Sequence, residues 1–292
     1  MKLKGKVWKF RDNINAWGIC FALLAVSLAG ISYLYAADDS FFNENNTTEE
    51  QTVTLDNNHR YSLSVWGRYS MLNMKSFNDD VEYYYADYVP APTYDKPKNG
   101  YEVGLDLGYK ITPNLRIGPR VSYLMVSAKN VYTDSDNTSM GSGYYWTYEE
   151  KQEYHMTLIP ILLGGEYFTK YNDKFSYNFK LYLGYGLARM KLNTGYGLDS
   201  NYYSPDSWSG SSTWKGSGFV GETSVGGEMA LNSRVSLGMD LGYRHANIKE
   251  MKLSESDYEI STDQQIWKDH TGQVIPFDFS GPIAAIRVNF AF

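Results

Sequence analysis

The sequence predicts an all-β protein: a membrane-spanning, antiparallel up-and-down β-barrel of eight strands, with short periplasmic turns and long extracellular loops. Three observations carry this prediction. Apolar and polar residues alternate with period two in eight runs between His59 and Phe292, the pattern of strands with two unlike faces. Short and long connections between those runs alternate strictly. The last run, GPIAAIRVNFAF from Gly281 to Phe292, finishes on an aromatic residue with no polar tail. In water such a strand would expose an edge that invites aggregation, and closing the sheet into a barrel removes that edge.

The front of the chain carries a different signal. Lys2, Lys4, Lys6, Lys9 and Arg11 form a basic segment, and an apolar run from Ile14 to Tyr35 ends in Ala36 and Ala37. This is the pattern of a secretory signal peptide, residues 1–36. The run is also long enough to span as an uncleaved anchor. A polar segment follows at once, so cleavage after Ala36 or Ala37 is expected. Residues 37–58 are acidic and aperiodic and read as a flexible periplasmic leader. The barrel is then residues 59–292.

Losing residues 1–36 removes Cys20, the only cysteine, and with it any disulfide or thiol chemistry. It also removes five basic residues and Asp12, leaving 22 basic and 32 acidic residues. A net charge of −10 argues against a nucleic-acid partner, which requires a basic surface.

The first run covers about Arg60–Lys75, with Tyr61, Leu63, Val65, Tyr69 and Met71 against Ser62, Ser64, Arg68 and Ser70. The second, Gly100–Thr112, opposes Tyr101, Val103, Leu105, Leu107, Tyr109 and Ile111 to Glu102, Gly104, Asp106, Gly108 and Lys110. The third spans about Arg116–Val131, with Arg120 inward. The fourth, about Glu153–Lys170, has apolar residues on both parities around Pro160, so its facing stays open. The fifth, Phe175–Leu192, sets Tyr177 to Leu187 outward and Lys180 inward. The sixth, Gly218–Leu231, is weakly apolar outside and carries Glu222 and Glu228 inside. The seventh, Val235–Glu250, puts Asp240 and Arg244 inward. In the eighth, Ala284, Ile286, Val288, Phe290 and Phe292 face lipid and Arg287 faces inward.

Turns at Pro113–Asn114, Asn172–Asp173 and Asn232–Ser233 have the expected turn chemistry. The connections Ser76–Asn99, Tyr132–Gln152, Asn193–Ser217 and Leu253–Phe277 are long. Both chain ends therefore lie at the turn end. Several runs exceed the roughly 9–11 residues that cross a membrane, so the wall is expected to continue above it. The 27 tyrosines are expected largely in interfacial aromatic girdles.

With these residues in view, the chain resembles the eight-stranded outer-membrane barrels of Gram-negative bacteria, of the outer membrane protein A and X type. The resemblance is carried by IPILLGGEYF (Ile159–Phe168), KLYLGYGLA (Lys180–Ala188), GGEMALNSRVSLGMDLGYR (Gly226–Arg244) and the terminal strand. It implies a place in the bacterial outer membrane. It also implies partners in the barrel-assembly machinery and periplasmic chaperones, with Ile286, Val288, Phe290 and Phe292 as the assembly signal.

An eight-stranded barrel is wide enough for side chains to fill, or for one small ligand. Glu102, Asp106, Arg120, Lys180, Glu222, Glu228, Asp240, Arg244 and Arg287, with Arg68 and Lys110, are expected to pair in the lumen. A sealed, salt-bridged core is the plainer reading and a narrow channel for ions or small solutes the alternative. Paired carboxylates and bases also suit acid–base catalysis, but nothing in their spacing marks a catalytic pair. A lipid-modifying or proteolytic barrel would need His155 or His245 near the outer rim; His59 and His270 complete the histidines. No recognisable motif surrounds them, no metal spacing is evident, and neither enzyme activity nor a cofactor is expected.

Lys129, Arg189, Lys191 and Lys249 are expected outward near the outer interface, at the depth of lipopolysaccharide phosphates. A lipid-facing Lys or Arg there costs only about 0–1 kcal/mol, against about 2–4 at the midplane. The long connections hold Tyr83, Tyr84, Tyr85, Tyr88, Tyr144, Tyr145, Trp146, Tyr202, Tyr203, Trp208, Trp214 and Trp267 among small polar residues. Such mixtures suit adaptable recognition of an extracellular ligand or host surface. The expected role is therefore envelope integrity or surface adhesion.

Overall fold

The computed structural model describes residues 59–84, 86, 93–136, 145–200, 206–257 and 265–292. The signal peptide and leader expected over 1–36 and 37–58 lie outside them. In chain order the elements are β1 (Tyr61–Met71), α1 (Lys75–Tyr84), β2 (Thr93–Tyr94), β3 (Asn99–Thr112), β4 (Leu115–Asp136) and β5 (Trp146–Lys170). They continue with β6 (Phe175–Ser200), β7 (Asp206–Ala230), β8 (Val235–Ile248), β9 (Met251–Ser256), β10 (Phe277–Asp278) and β11 (Gly281–Ala291).

Eight of these strands close a ring. From β1 each pairs antiparallel with the next, through β3, β4, β5, β6, β7 and β8 to β11. The terminal strand closes it, with Ser62 opposite Ala291 and Ser70 opposite Ile283. Tyr61 and Phe292 complete the seam by exchanging both backbone hydrogen bonds at 3.0 Å. At the tight turns, the Asn172 and Asn232 side chains accept from backbone N–H groups two and three residues on. That is the local bonding that makes asparagine a turn residue.

The strands are unequal. β1, β3, β8 and β11 have 11 to 14 residues, whereas β4 to β7 have 22 to 26. The expected long connections Tyr132–Gln152 and Asn193–Ser217 are therefore corrected: most of their residues continue the strands. Half of the ring rises as a tall wall, and β9 adds to its β7 edge. The connection expected as a loop from Ser76 contains α1.

A run of exposed apolar side chains girdles the ring, including Leu105, Leu107, Ile117, Ile161, Leu163, Leu181, Leu183, Leu187, Val225, Met239, Leu241 and Ile286. Aromatic residues mark both borders. Tyr61, Tyr109 and Phe292 cluster at the turn end, where Tyr171 also meets Tyr177. Tyr69 meets Tyr101 edge-on near the opposite border.

Inside, the ring holds two kinds of filling. Charged side chains occupy the turn-end half. Above them lies an apolar core of Leu124, Val126, Met156, Leu158, Met190, Trp214, Val220, Ala246 and Ile248. α1 caps this core by burying Phe77 and Val81, and the returning segment adds Ile275, Phe277 and Phe279. Phe77 packs against Tyr154, Trp267 and Phe277, with ring centroids 5.2 to 6.3 Å apart.

The polarity of the two faces therefore inverts along the wall. On β6, Lys180 is buried inside while Leu181 to Leu187 face out; further up, Met190 is buried inside while Arg189 and Lys191 face out. Lipid surrounds the lower barrel and water the upper wall, so the face that must be apolar changes sides. β5 crosses this boundary, which explains its apolar residues on both parities. Leu158, Pro160 and Leu162 point inward; Ile161, Leu163 and Tyr167 point outward.

Candidate functional site

The lower lumen is organised around Glu222 and Arg287. Glu222, projecting from β7, accepts from three guanidinium groups. Arg68 reaches it bidentately at 2.8 and 3.0 Å, and Arg120 and Arg244 donate at 2.9 Å each. Arg120 also makes a bidentate pair with Asp106 at 2.8 and 2.7 Å. Glu102 bonds Arg244 and accepts from the Ser122 hydroxyl at 2.5 Å. Trp66 sits within this layer. Its indole N–H donates to Asp106 at 2.9 Å, and the guanidinium of Arg68 stacks over its ring at 4.2 Å.

The layer nearest the turns centres on Arg287, the arginine of the terminal strand. It lies 3.1 Å from each of Glu166, Glu228 and Asp240. Lys180 bridges Asp240 at 2.8 Å and Glu166 at 3.4 Å. Arg116 approaches Glu166 at 3.4 Å, and Ser236 bonds Glu228. With its nitrogen turned to Asp240 at 3.2 Å, the Asn178 amide links that carboxylate to Arg287.

Glycines make room for these large groups. A Cβ at Gly104 would collide with the Trp66 ring, and one at Gly238 with the Arg287 guanidinium. Alternating small and large inward residues in this way fits the taper of a small barrel.

The two layers contain six carboxylates, Glu102, Asp106, Glu166, Glu222, Glu228 and Asp240. They also contain six cations, Arg68, Arg116, Arg120, Lys180, Arg244 and Arg287. The charges balance, which satisfies the strong requirement that buried charge be paired. Of the eleven lumen residues named from the sequence, ten are brought together here; Lys110 lies half-buried near the turn, opposite Arg116 in the β3–β4 register. Glu166, Arg116, Trp66 and Asn178 are additions. Parity alone points Trp66 inward with Ser64 and Arg68; Glu166 was hidden by the mixed pattern of its strand.

At the rim, the four expected cations separate. Lys129 is paired with Glu153 at 3.3 Å. Arg189 and Lys191 are exposed on the outer face of β6, and Lys249 is exposed between β8 and β9. Ile286, Val288, Phe290 and Phe292, the residues expected to form the assembly signal, follow the outward parity of the terminal strand, and Phe292 stacks on Tyr61 at 6.3 Å.

The aromatic residues expected in surface loops divide. Tyr85, Tyr88, Tyr144, Tyr202 and Tyr203 lie outside the described residues. Trp214 is 6% exposed on β7 and meets Trp267 edge-on at 5.0 Å. Both belong to the upper core rather than to a surface: β7 continues and points Trp214 inward, and Trp267 packs against it from the returning segment. On the upper wall, Tyr148, Tyr196 and Trp208 stack across three strands at 6.2 Å spacings.

The histidines are dispersed. His155 and His245 are exposed on the outer faces of β5 and β8. His270 stacks on Tyr83 at 3.6 Å beside Asp80, whose carboxyl is pushed up by burial, in part offset by a hydrogen bond from the His270 backbone. Among the described residues, no group of three or more His, Cys, Asp or Glu could hold a metal ion.

A closed ring of eight strands with an apolar belt, aromatic borders and a charged lower lumen defines a transmembrane β-barrel of the outer-membrane type. No protein family matches the sequence, and no curated protein does. Solved structures similar to it include Ail, the attachment invasion locus protein of Yersinia pestis, with 11% identity and a TM-score of 0.31 over 80% of this chain and 99% of that one. Neisserial surface protein A is similar with 12% identity and a TM-score of 0.30, over 80% and 97%. The outer membrane protein OprG of Pseudomonas aeruginosa is similar with 10% identity and a TM-score of 0.32, over 81% and 98%.

Proposed function

We propose that this protein is a sealed, non-enzymatic barrel of the bacterial outer membrane that anchors a tall recognition wall at the cell surface. The filling of the lumen carries the reading. An ion entering from the turn end meets a balanced network of short charge pairs. One entering from the loop end meets the apolar core capped by α1. Displacing a charge pair from the first, or wetting the second, is costly. Above the core, the inner face of the wall carries aromatic residues stacked across β5, β6 and β7 among polar neighbours, a surface chemistry suited to adhesion.

Planar-bilayer recording of the purified, refolded protein tests the reading. No discrete conductance steps above the lipid baseline are expected at either polarity. Reproducible unitary steps would replace the scaffold by the narrow-channel alternative.

A further inference from the structure

The outer face of the wall holds a row of four like charges that two neighbouring glutamates neutralise only in part. Arg189 on β6 is directly opposite Lys215 on β7, and Lys215 is directly opposite Lys252 on β9. One step higher, Lys191 is opposite His155 on β5. Neighbouring strands are about 4.8 Å apart, and like charges facing each other across them destabilise a sheet.

Elsewhere on the wall cations are matched. Lys129 has Glu153, and Lys151 pairs with Glu149. Within the row, Lys215 has only a long contact with Glu255 at 3.9 Å, and Lys252 pairs with Glu250 at 3.0 Å. Arg189 and Lys191 make no ion pair among the described residues. In a chain of net charge −6, a cation cluster in which two of four members lack an ion pair among the described residues can take an anion.

Its depth says which anion. From Phe175 to Leu187 the outward face of β6 is apolar or aromatic, a rise of roughly 30 Å for a strand tilted about 40°. Arg189 is the next outward residue. The row therefore stands where hydrocarbon ends, with Tyr185, Leu187 and Phe219 exposed immediately below. A free anion would use the cations alone. A lipid with a phosphorylated headgroup would use both surfaces, its phosphates on the cations and its acyl chains on the belt.

We infer that Arg189, Lys191, Lys215 and Lys252 form a binding site for the phosphorylated sugar headgroup of an outer-leaflet glycolipid. The test uses the full barrel refolded in zwitterionic detergent and titrated with lipid A, with its dephosphorylated form, and with inorganic pyrophosphate as competitor. Lipid A is expected to bind at least tenfold more tightly than the dephosphorylated lipid. Arg189→Gln combined with Lys215→Gln should lose that margin while keeping the affinity for the dephosphorylated lipid.

Lys129→Gln, at the paired position, should bind as the unaltered protein does. Lys252→Gln lies on a strand outside the closed ring and supplies a variant that leaves the barrel wall intact; a threefold or greater loss is expected. Equal affinity for the two lipids, or full lipid A affinity in both the double variant and Lys252→Gln, would overturn the assignment. So would complete displacement of lipid A by equimolar pyrophosphate, which would mark a site for the free anion.

Discussion

Arg287 shows how much one position can carry. It faces three carboxylates from three other strands, Glu166, Glu228 and Asp240. Buried ion networks add less net stability than their geometry suggests, yet removing one partner leaves the others uncompensated. Arg287→Ala should therefore destabilise the barrel by about 3–5 kcal/mol, read as a lower urea midpoint in folding from detergent. A variant within 1 kcal/mol of the parent, roughly the scale of an exposed pair, would mean that water already screens this layer. Alternation around Arg287 was clean, so its inward direction was legible in the sequence. Its partners were legible only in part: Glu228 and Asp240 lie in clean runs, whereas Glu166 lies where both parities are apolar.

At the scale of the element, β5 and α1 explain what the sequence concealed. Period-two reading assumes one apolar face per strand, and it succeeded for β1, β3, β8 and β11, which stop near the edge of the belt. It truncated β4 to β7, because past the belt the apolar face moves inside and the pattern changes phase. The upper core has no period-two signature of its own for the same reason, so Trp214 and Trp267 look like surface residues in the sequence. α1 buries its ring at Phe77, which is 1% exposed. Phe77→Ala should cost about 3–5 kcal/mol of docking energy, seen as faster amide exchange in α1 and in the Ile275–Phe279 segment. Conductance should stay absent, because the charged layers lie below the cap. Unitary steps in this variant would show that the cap alone seals the lumen.

For the whole molecule, closure depends on the last strand meeting the first, as a closed up-and-down barrel requires. Phe292 ends the seam, bonded to Tyr61 through both backbone groups. Deleting it removes a terminal pair that a folded ring can spare, but it also removes the final residue of the expected assembly signal. Assembly in cells should fall more than refolding yield in detergent. Equal loss in both assays would make Phe292 a packing residue only.

The inversion of polarity has a further consequence for where this molecule can rest. On β6 the change occupies a single step of the outward face, from Leu187 to Arg189. A thicker bilayer would press hydrocarbon against Arg189 and Lys191; a thinner one would leave Leu187 in water. Each ångström of mismatch costs a fraction of a kcal/mol. The strand thus works as a depth gauge: it fixes the height at which the wall emerges, and favours a membrane of matching thickness.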